Sequence, residues 1–119
     1  MRTLLPVTLV LVAVAAGCGS SSTGDDQSRL LRGKLHYLNT CSRCHQPDGD
    51  GYAQVYPNLA GNPIVRGDDA GPVIDIVLHG RGAMPSFGAR PPEELAEIIT
   101  YVRHAWGNLA GPVTPTQVK

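Results

Sequence analysis

Cys41-Ser42-Arg43-Cys44-His45 is the stretch on which the reading of this 119-residue chain turns. Two thiols three positions apart on one helical turn can add to the two vinyl groups of one porphyrin, and the imidazole that follows then falls beneath the iron. That is the C-x-x-C-H signature of covalent c-type haem. Cys41 and Cys44 are the anchors and His45 is the proximal ligand. Three other uses of the pair compete. A thioredoxin-like dithiol needs a βαβ setting, which the sequence does not offer. A structural zinc site needs a second ligand pair, and His36, His79 and His104 are not spaced to supply one. A plain disulfide leaves His45 unexplained.

A second axial ligand belongs on a loop far along the chain. If Met1 leaves with a leader, Met84 is the remaining methionine, in Gly82-Ala83-Met84-Pro85-Ser86-Phe87 between two expected helices. A thioether favours ferrous iron and raises the reduction potential. The alternatives are a gap-filling core methionine and a bis-histidine site, for which His79 is the best placed rival. A ligating histidine donates its other ring nitrogen to a carbonyl or carboxylate. In Tyr56-Pro57-Asn58-Leu59, the Pro57 carbonyl can accept that bond while Leu59 packs on the porphyrin. Asp48-Gly49-Asp50-Gly51 hints at a calcium loop, but Leu59 stands where an EF-hand needs Glu, so the segment reads as a turn.

Upstream, Arg2 precedes an apolar run from Leu4 to Ala16, shorter than a bilayer span of about 20 residues. This is a leader profile. Ala15-Ala16-Gly17-Cys18 resembles a bacterial lipobox, with Ala15 where Leu is usual. The expected organisation is therefore a leader at 1–17, a lipidated Cys18 with a polar tether at 18–27, a domain at 28–108 and a tail at 109–119. That assigns two cysteines to haem and one to lipid, leaving no spare thiol in an exported protein. Ten basic residues balance ten acidic ones, and loss of Arg2 leaves about −1, so no nucleic-acid partner is expected.

The fold expected is all-α, three to four helices with long loops wrapped around the cofactor. A first helix spans 28–40, capped by Ser28, with Leu31, Leu35 and Leu38 as its apolar stripe. A second spans 69–79 with Asp68 or Asp69 at its start, Pro72 in the first turn and Gly80 after the end. The last runs from 92 to 106, buries Leu95, Ile98, Ile99, Val102 and Trp106, and closes on Arg103 and His104 in keeping with the helix dipole. Gly33 breaks helical propensity, which close approach of the last helix would explain. The loops 46–68 and 80–91 are long for a small bundle and make sense wrapped around an apolar cofactor.

Taken in order, Gly33 and Tyr37, Cys41 to His45, Pro57-Asn58-Leu59, Met84-Pro85 and Tyr101 resemble the class I cytochromes c over residues 28–108. That resemblance implies first and last helices crossing at Gly33 against Tyr101, one covalent haem c with its iron between His45 and Met84, and a Pro57 carbonyl bonded to His45. Gln46 stands where a glycine is often found in that family. A narrower similarity, through Asn58-Leu59-Ala60-Gly61-Asn62 and Tyr101 to Asn108, is to haem domains in cytochrome subunits of bacterial membrane-bound alcohol and gluconate dehydrogenases. The function expected is one-electron transfer without bond-making chemistry. Its partners are other redox proteins, such as a dehydrogenase, a cytochrome complex or a terminal oxidase. The chain is expected on the periplasmic side, held to the membrane through Cys18. The alternatives are a fixed subunit of a periplasmic dehydrogenase or oxidase complex, and a haem sensor or enzyme with an open iron position.

Overall fold

The computed structural model describes Val12 and residues 22–119, and all five α-helices lie in the second segment. They are α1 (Ser22–Thr40), α2 (Ser42–His45), α3 (Pro63–Arg66), α4 (Gly71–His79) and α5 (Pro92–His104), followed by a 3₁₀ turn at Pro115–Val118. No strand occurs among the described residues beyond two isolated bridges, so the all-α expectation holds. The leader and the Cys18 lipid site lie outside the described residues, Val12 apart.

Two helices form the frame. α1 crosses α5 where Gly33 meets Glu97 and Tyr101: a Cβ on Gly33 would fall on the Glu97 carbonyl oxygen and within 2.9 Å of Tyr101 Cβ. Tyr37, one turn later and fully buried, packs its ring on those of Tyr101 and Trp106, with centroids 5.5 and 5.2 Å away. Leu95, Ile98, Ile99 and Val102 bury the inner face of α5, the face that 3.6-residue periodicity assigns to the core. Arg32–Glu97 at 2.7 Å and His36 between Glu94 and Glu97 edge the crossing with charge.

The sequence expectations need four corrections. α1 begins at Ser22 and not at Ser28, so residues 22–27 of the supposed tether continue a helix, with Asp25 in its first turn, where an acid favours the dipole. Leu31, Leu35 and Leu38 are exposed, and the buried positions of α1 are Gly33 and Tyr37, because a close crossing selects the small residue and its aromatic neighbour over leucines. α5 stops at His104, with Trp106 in a left-handed turn at φ +51°. The tail at 109–119 is part of the domain: Val113 and Val118 are buried, and Val113 exchanges two hydrogen bonds with the Thr100 hydroxyl.

Arg103, expected to complement the helix dipole, is 2% exposed. Its Nε donates to Gly111 O and its Nη1 to Val65 O and Gly67 O, each at 2.9 Å. One guanidinium thus ties α5, the loop after α3 and the tail together through charge-assisted bonds.

Two substitutions test this frame with opposite signs. Gly33→Ala forces α1 off α5 and is expected to lose about 1–3 kcal/mol of unfolding free energy. Gln46 lies at φ +66°, ψ 156°, a region costing a side-chain-bearing residue about 1–3 kcal/mol. Gln46→Gly is therefore expected to raise the denaturant midpoint, since only backbone atoms of Gln46 are engaged.

Candidate functional site

The segment after α2 is built to aim one imidazole. Cys41 links α1 to α2 in helical backbone conformation, with His45 N bonded to Cys41 O at 3.0 Å, so Cys41, Cys44 and His45 share one short turn of chain. The chain then reverses through the glycines of Asp48-Gly49-Asp50-Gly51, both at positive φ, a conformation cheap only for glycine. Gly51 N returns to His45 O at 2.9 Å, and Gly49 O accepts from both Leu59 N and Ala60 N. The turn reading of this segment holds, with Asp48 Oδ1 accepting from Asp50 N.

That reversal brings Pro57 back over His45, whose Nδ1 lies 2.8 Å from Pro57 O. A carbonyl oxygen only accepts, so Nδ1 carries the proton and Nε2 is left as a free lone-pair donor, the tautomer a metal-ligating histidine needs. Asn108 locks the same loop from the far end of the domain: its Oδ1 accepts from Gly61 N, and its Nδ2 donates to Leu59 O and Val102 O. Asn108 is buried and all its groups are partnered.

Met84 sits in a tight turn closed by Arg81 N to Met84 O (3.1 Å) and Met84 N to Arg81 O (2.9 Å). Gly80 has no room for a Cβ against Pro85 C, 2.9 Å away, and Phe87 N ties the loop to Val77 O of α4. α4 ends on Gly80 as expected, although at its start Gly71 N donates to Asp69 Oδ1 while Ala70 holds the cap position.

One cavity of about 630 Å³ gathers these parts, its lining including Cys41, Cys44, His45, Pro57, Leu59 and Met84. That volume lies in the roughly 300–1,000 Å³ range of cofactor sites. Val55, Tyr56 and Ile64 are 60, 38 and 39% exposed on its wall, apolar surface that a flat apolar group would cover. The lining holds Arg43, Arg81 and Arg90 and no carboxylate, the charge pattern that suits an anionic cofactor. Both thiols are free. The residues present therefore fit a propionate-bearing porphyrin attached by two thioethers.

The competing uses find no support in the geometry. His79, the rival ligand, lies outside the cavity lining, exposed and 3.0 Å from Asp75. Among the described residues no cluster of three His, Cys, Asp or Glu could hold a metal ion. Burial pushes the Cys41 thiol up to about 11, opposite to the depressed thiols of disulfide oxidoreductases. Sequence reasoning missed Asn108, Arg103 and the contact of Gly49 with the Trp106 ring; Gly49, with its neighbour Gly51, left a glycine signal that composition alone could not direct.

Comparison with known proteins gives a concordant result. The family profile described as cytochrome c oxidase, cbb3-type, subunit III matches residues 28–102. The chain is 31% identical over 96 residues to the cytochrome c subunit of a quinone-dependent alcohol dehydrogenase from Gluconacetobacter polyoxogenes, covering 69% of this chain and 20% of that subunit. It is 33% identical over 98 residues to the cytochrome c subunit of gluconate 2-dehydrogenase from Pantoea cypripedii, covering 71% and 22%. The chain thus spans about a fifth of these dehydrogenase subunits. Against cytochrome c-555 of Methylococcus capsulatus it is 33% identical over 105 residues, 87% of this chain and 81% of that one. With most of its domain matched by that profile and a small cytochrome aligned over most of its length, the chain belongs to the cytochrome c family of the cbb3 subunit III type, electron carriers holding haem c covalently.

Proposed function

We propose that the chain is a one-electron carrier whose haem iron lies between His45 Nε2 and Met84 Sδ, with Cys41 and Cys44 as the thioether anchors. The observation that carries this is the cavity itself, which lines up both thiols, the Met84 loop and an imidazole whose other nitrogen is already committed to Pro57. The bound group supplies a ferrous–ferric couple. His45 contributes a ligand held in one tautomer by the Pro57 carbonyl, which also raises its basicity. Met84 contributes a soft donor that favours the reduced metal, and Leu59 excludes water. With His45 and Met84 both holding the group, no position would be left on it for substrate, and the chain is read as a carrier and not an enzyme.

The leader at 1–17 and a lipidated Cys18 make it an exported protein tethered at the periplasmic side, with 28–108 as the haem domain. The dehydrogenase subunits it aligns with support a redox protein as partner, a dehydrogenase, a cytochrome complex or a terminal oxidase. The exposed Arg43, Arg81, Ala83 and Pro85 at the cavity rim form a small, weakly charged contact for a transient encounter.

Met84→Ala is expected to convert the low-spin reduced spectrum to one that binds carbon monoxide readily. The same change lowers the midpoint potential by on the order of 100 mV, within the ≈ 0.8 V over which axial ligands tune haem; His79→Ala leaves both unchanged. A low-spin spectrum surviving Met84→Ala removes Met84 from the site. In haem-free chain, alkylation mapped by mass is expected to label Cys41 slowly at neutral pH. Its rate rises about tenfold per pH unit toward pH 11, because only the thiolate reacts.

A further inference from the structure

We propose that the outward face of α1 is a membrane-surface contact, with Leu31, Leu35 and Leu38 seated in the headgroup layer of the bilayer to which Cys18 is tethered. This seating presupposes the lipid anchor of the proposed function. The three leucines stand at i, i+4 and i+7, which puts them on one side of the helix. They are 54, 60 and 36% exposed. Neither the core nor the cofactor accounts for them: α1 turns Gly33 and Tyr37 toward α5, and it reaches the haem cavity only at Thr40. A single exposed leucine is ordinary, whereas three in register mark a surface that meets something.

The remainder of that face fits lipid. At about 100° per residue, the half of α1 that carries the stripe also carries Gly24, Gln27, Ser28, Lys34 and Asn39. Asp25 and Asp26 fall on the other half, so no acid opposes anionic headgroups. Lys34, at the edge of the stripe, has a stem that can lie along apolar surface while its ammonium reaches phosphate. An apolar face with a basic edge is the pattern of a helix lying in the interface plane, and no described helix is long and apolar enough to cross a membrane.

Reach selects the bilayer over other occupants. Ser22, where α1 begins, is four positions after Cys18. A fully extended chain covers about 3.3–3.6 Å per residue, so the helix starts within about 15 Å of the acylated residue however the intervening residues run. Tethering that short makes the contact effectively intramolecular, so a narrow stripe suffices. Because α5 packs on the opposite side of α1, lipid contact also sets which way the haem domain faces.

Matured, haem-loaded chain carrying Leu35→Cys, nitroxide-labelled and reconstituted in vesicles of phosphatidylglycerol and phosphatidylethanolamine, tests this seating. Asp75→Cys, at an exposed position of α4, serves as the water-facing reference, and intact mass with vesicle pelleting reports acylation independently. The Leu35 label is expected to lose about fivefold of its accessibility to a water-soluble nickel complex on reconstitution and to gain access to oxygen, with the Asp75 label unchanged. Adding Leu31→Ser and Leu38→Ser is expected to restore nickel access while the chain still pellets. An acylated, pelleting chain whose Leu35 label is as open to nickel as the Asp75 label overturns the seating and leaves the anchor standing. A label already shielded without vesicles, with doubled hydrodynamic mass, assigns the face to a second copy and overturns it too. An unacylated chain left in the supernatant removes the anchor and the seating together.

Discussion

The hydrogen bond from His45 Nδ1 to the Pro57 carbonyl is the constraint around which the rest of the structure is arranged. A histidine with both nitrogens free can rotate and change tautomer, and it makes a poor fixed ligand; committing one nitrogen to a carbonyl settles both. The commitment requires a chain reversal between residues 45 and 57 tight enough to bring the carbonyl back. Gly49 and Gly51 provide it, through positive φ and through backbone packing that leaves no space for a Cβ, Gly49 against the Trp106 ring and Gly51 against Pro57 O at 2.7 Å. Asn108 then fixes the returning strand of the loop to the end of α5.

The α1–α5 crossing gives that loop something rigid to be fixed to. Gly33 permits the close approach, Tyr37 fills the angle below it, and the Tyr37 hydroxyl donates to Gln46 O at 2.6 Å, directly after His45. Burial holds the Tyr37 phenol well above its usual range, so it remains a donor at any physiological pH. Core packing and the placement of His45 therefore share one residue. In the opposite wall, the Met84 loop is tied to α4 through Phe87 N to Val77 O and Ser86 Oγ to Leu78 O. Its apolar side chains Ile76, Val77 and Phe87 are only partly buried by protein, as expected where a cofactor supplies the missing core.

Much of this was legible in the sequence because the chemistry is local. The thiol pair and its histidine lie in five consecutive residues, and α4 and most of α5 follow from apolar spacing and capping residues. Gly33 with Tyr101 was legible through family resemblance. The start of α1 at Ser22 is a local boundary that Ser28 masked as a cap candidate, whereas the other misread features depend on tertiary context. The leucines of α1 looked like a core stripe because periodicity reports that a face is apolar, not that a partner covers it. Arg103 read only as a dipole partner because its three carbonyl acceptors lie 8 to 38 residues away in sequence. The tail was set apart from the domain because Val113 and Val118 are buried only once Thr100 and α5 are in place. Gln46, noted as standing in place of a glycine, proves to occupy a backbone conformation that explains the preference.

The central claim is a porphyrin bonded to both sulfurs beside His45, and the most direct measurement is the mass of the peptide spanning residues 41–45 from chain matured in its own export pathway. The account predicts that peptide at its sequence mass plus one haem, with neither thiol open to alkylation. A peptide of bare sequence mass, or one lighter by two hydrogens from a Cys41–Cys44 disulfide, contradicts it.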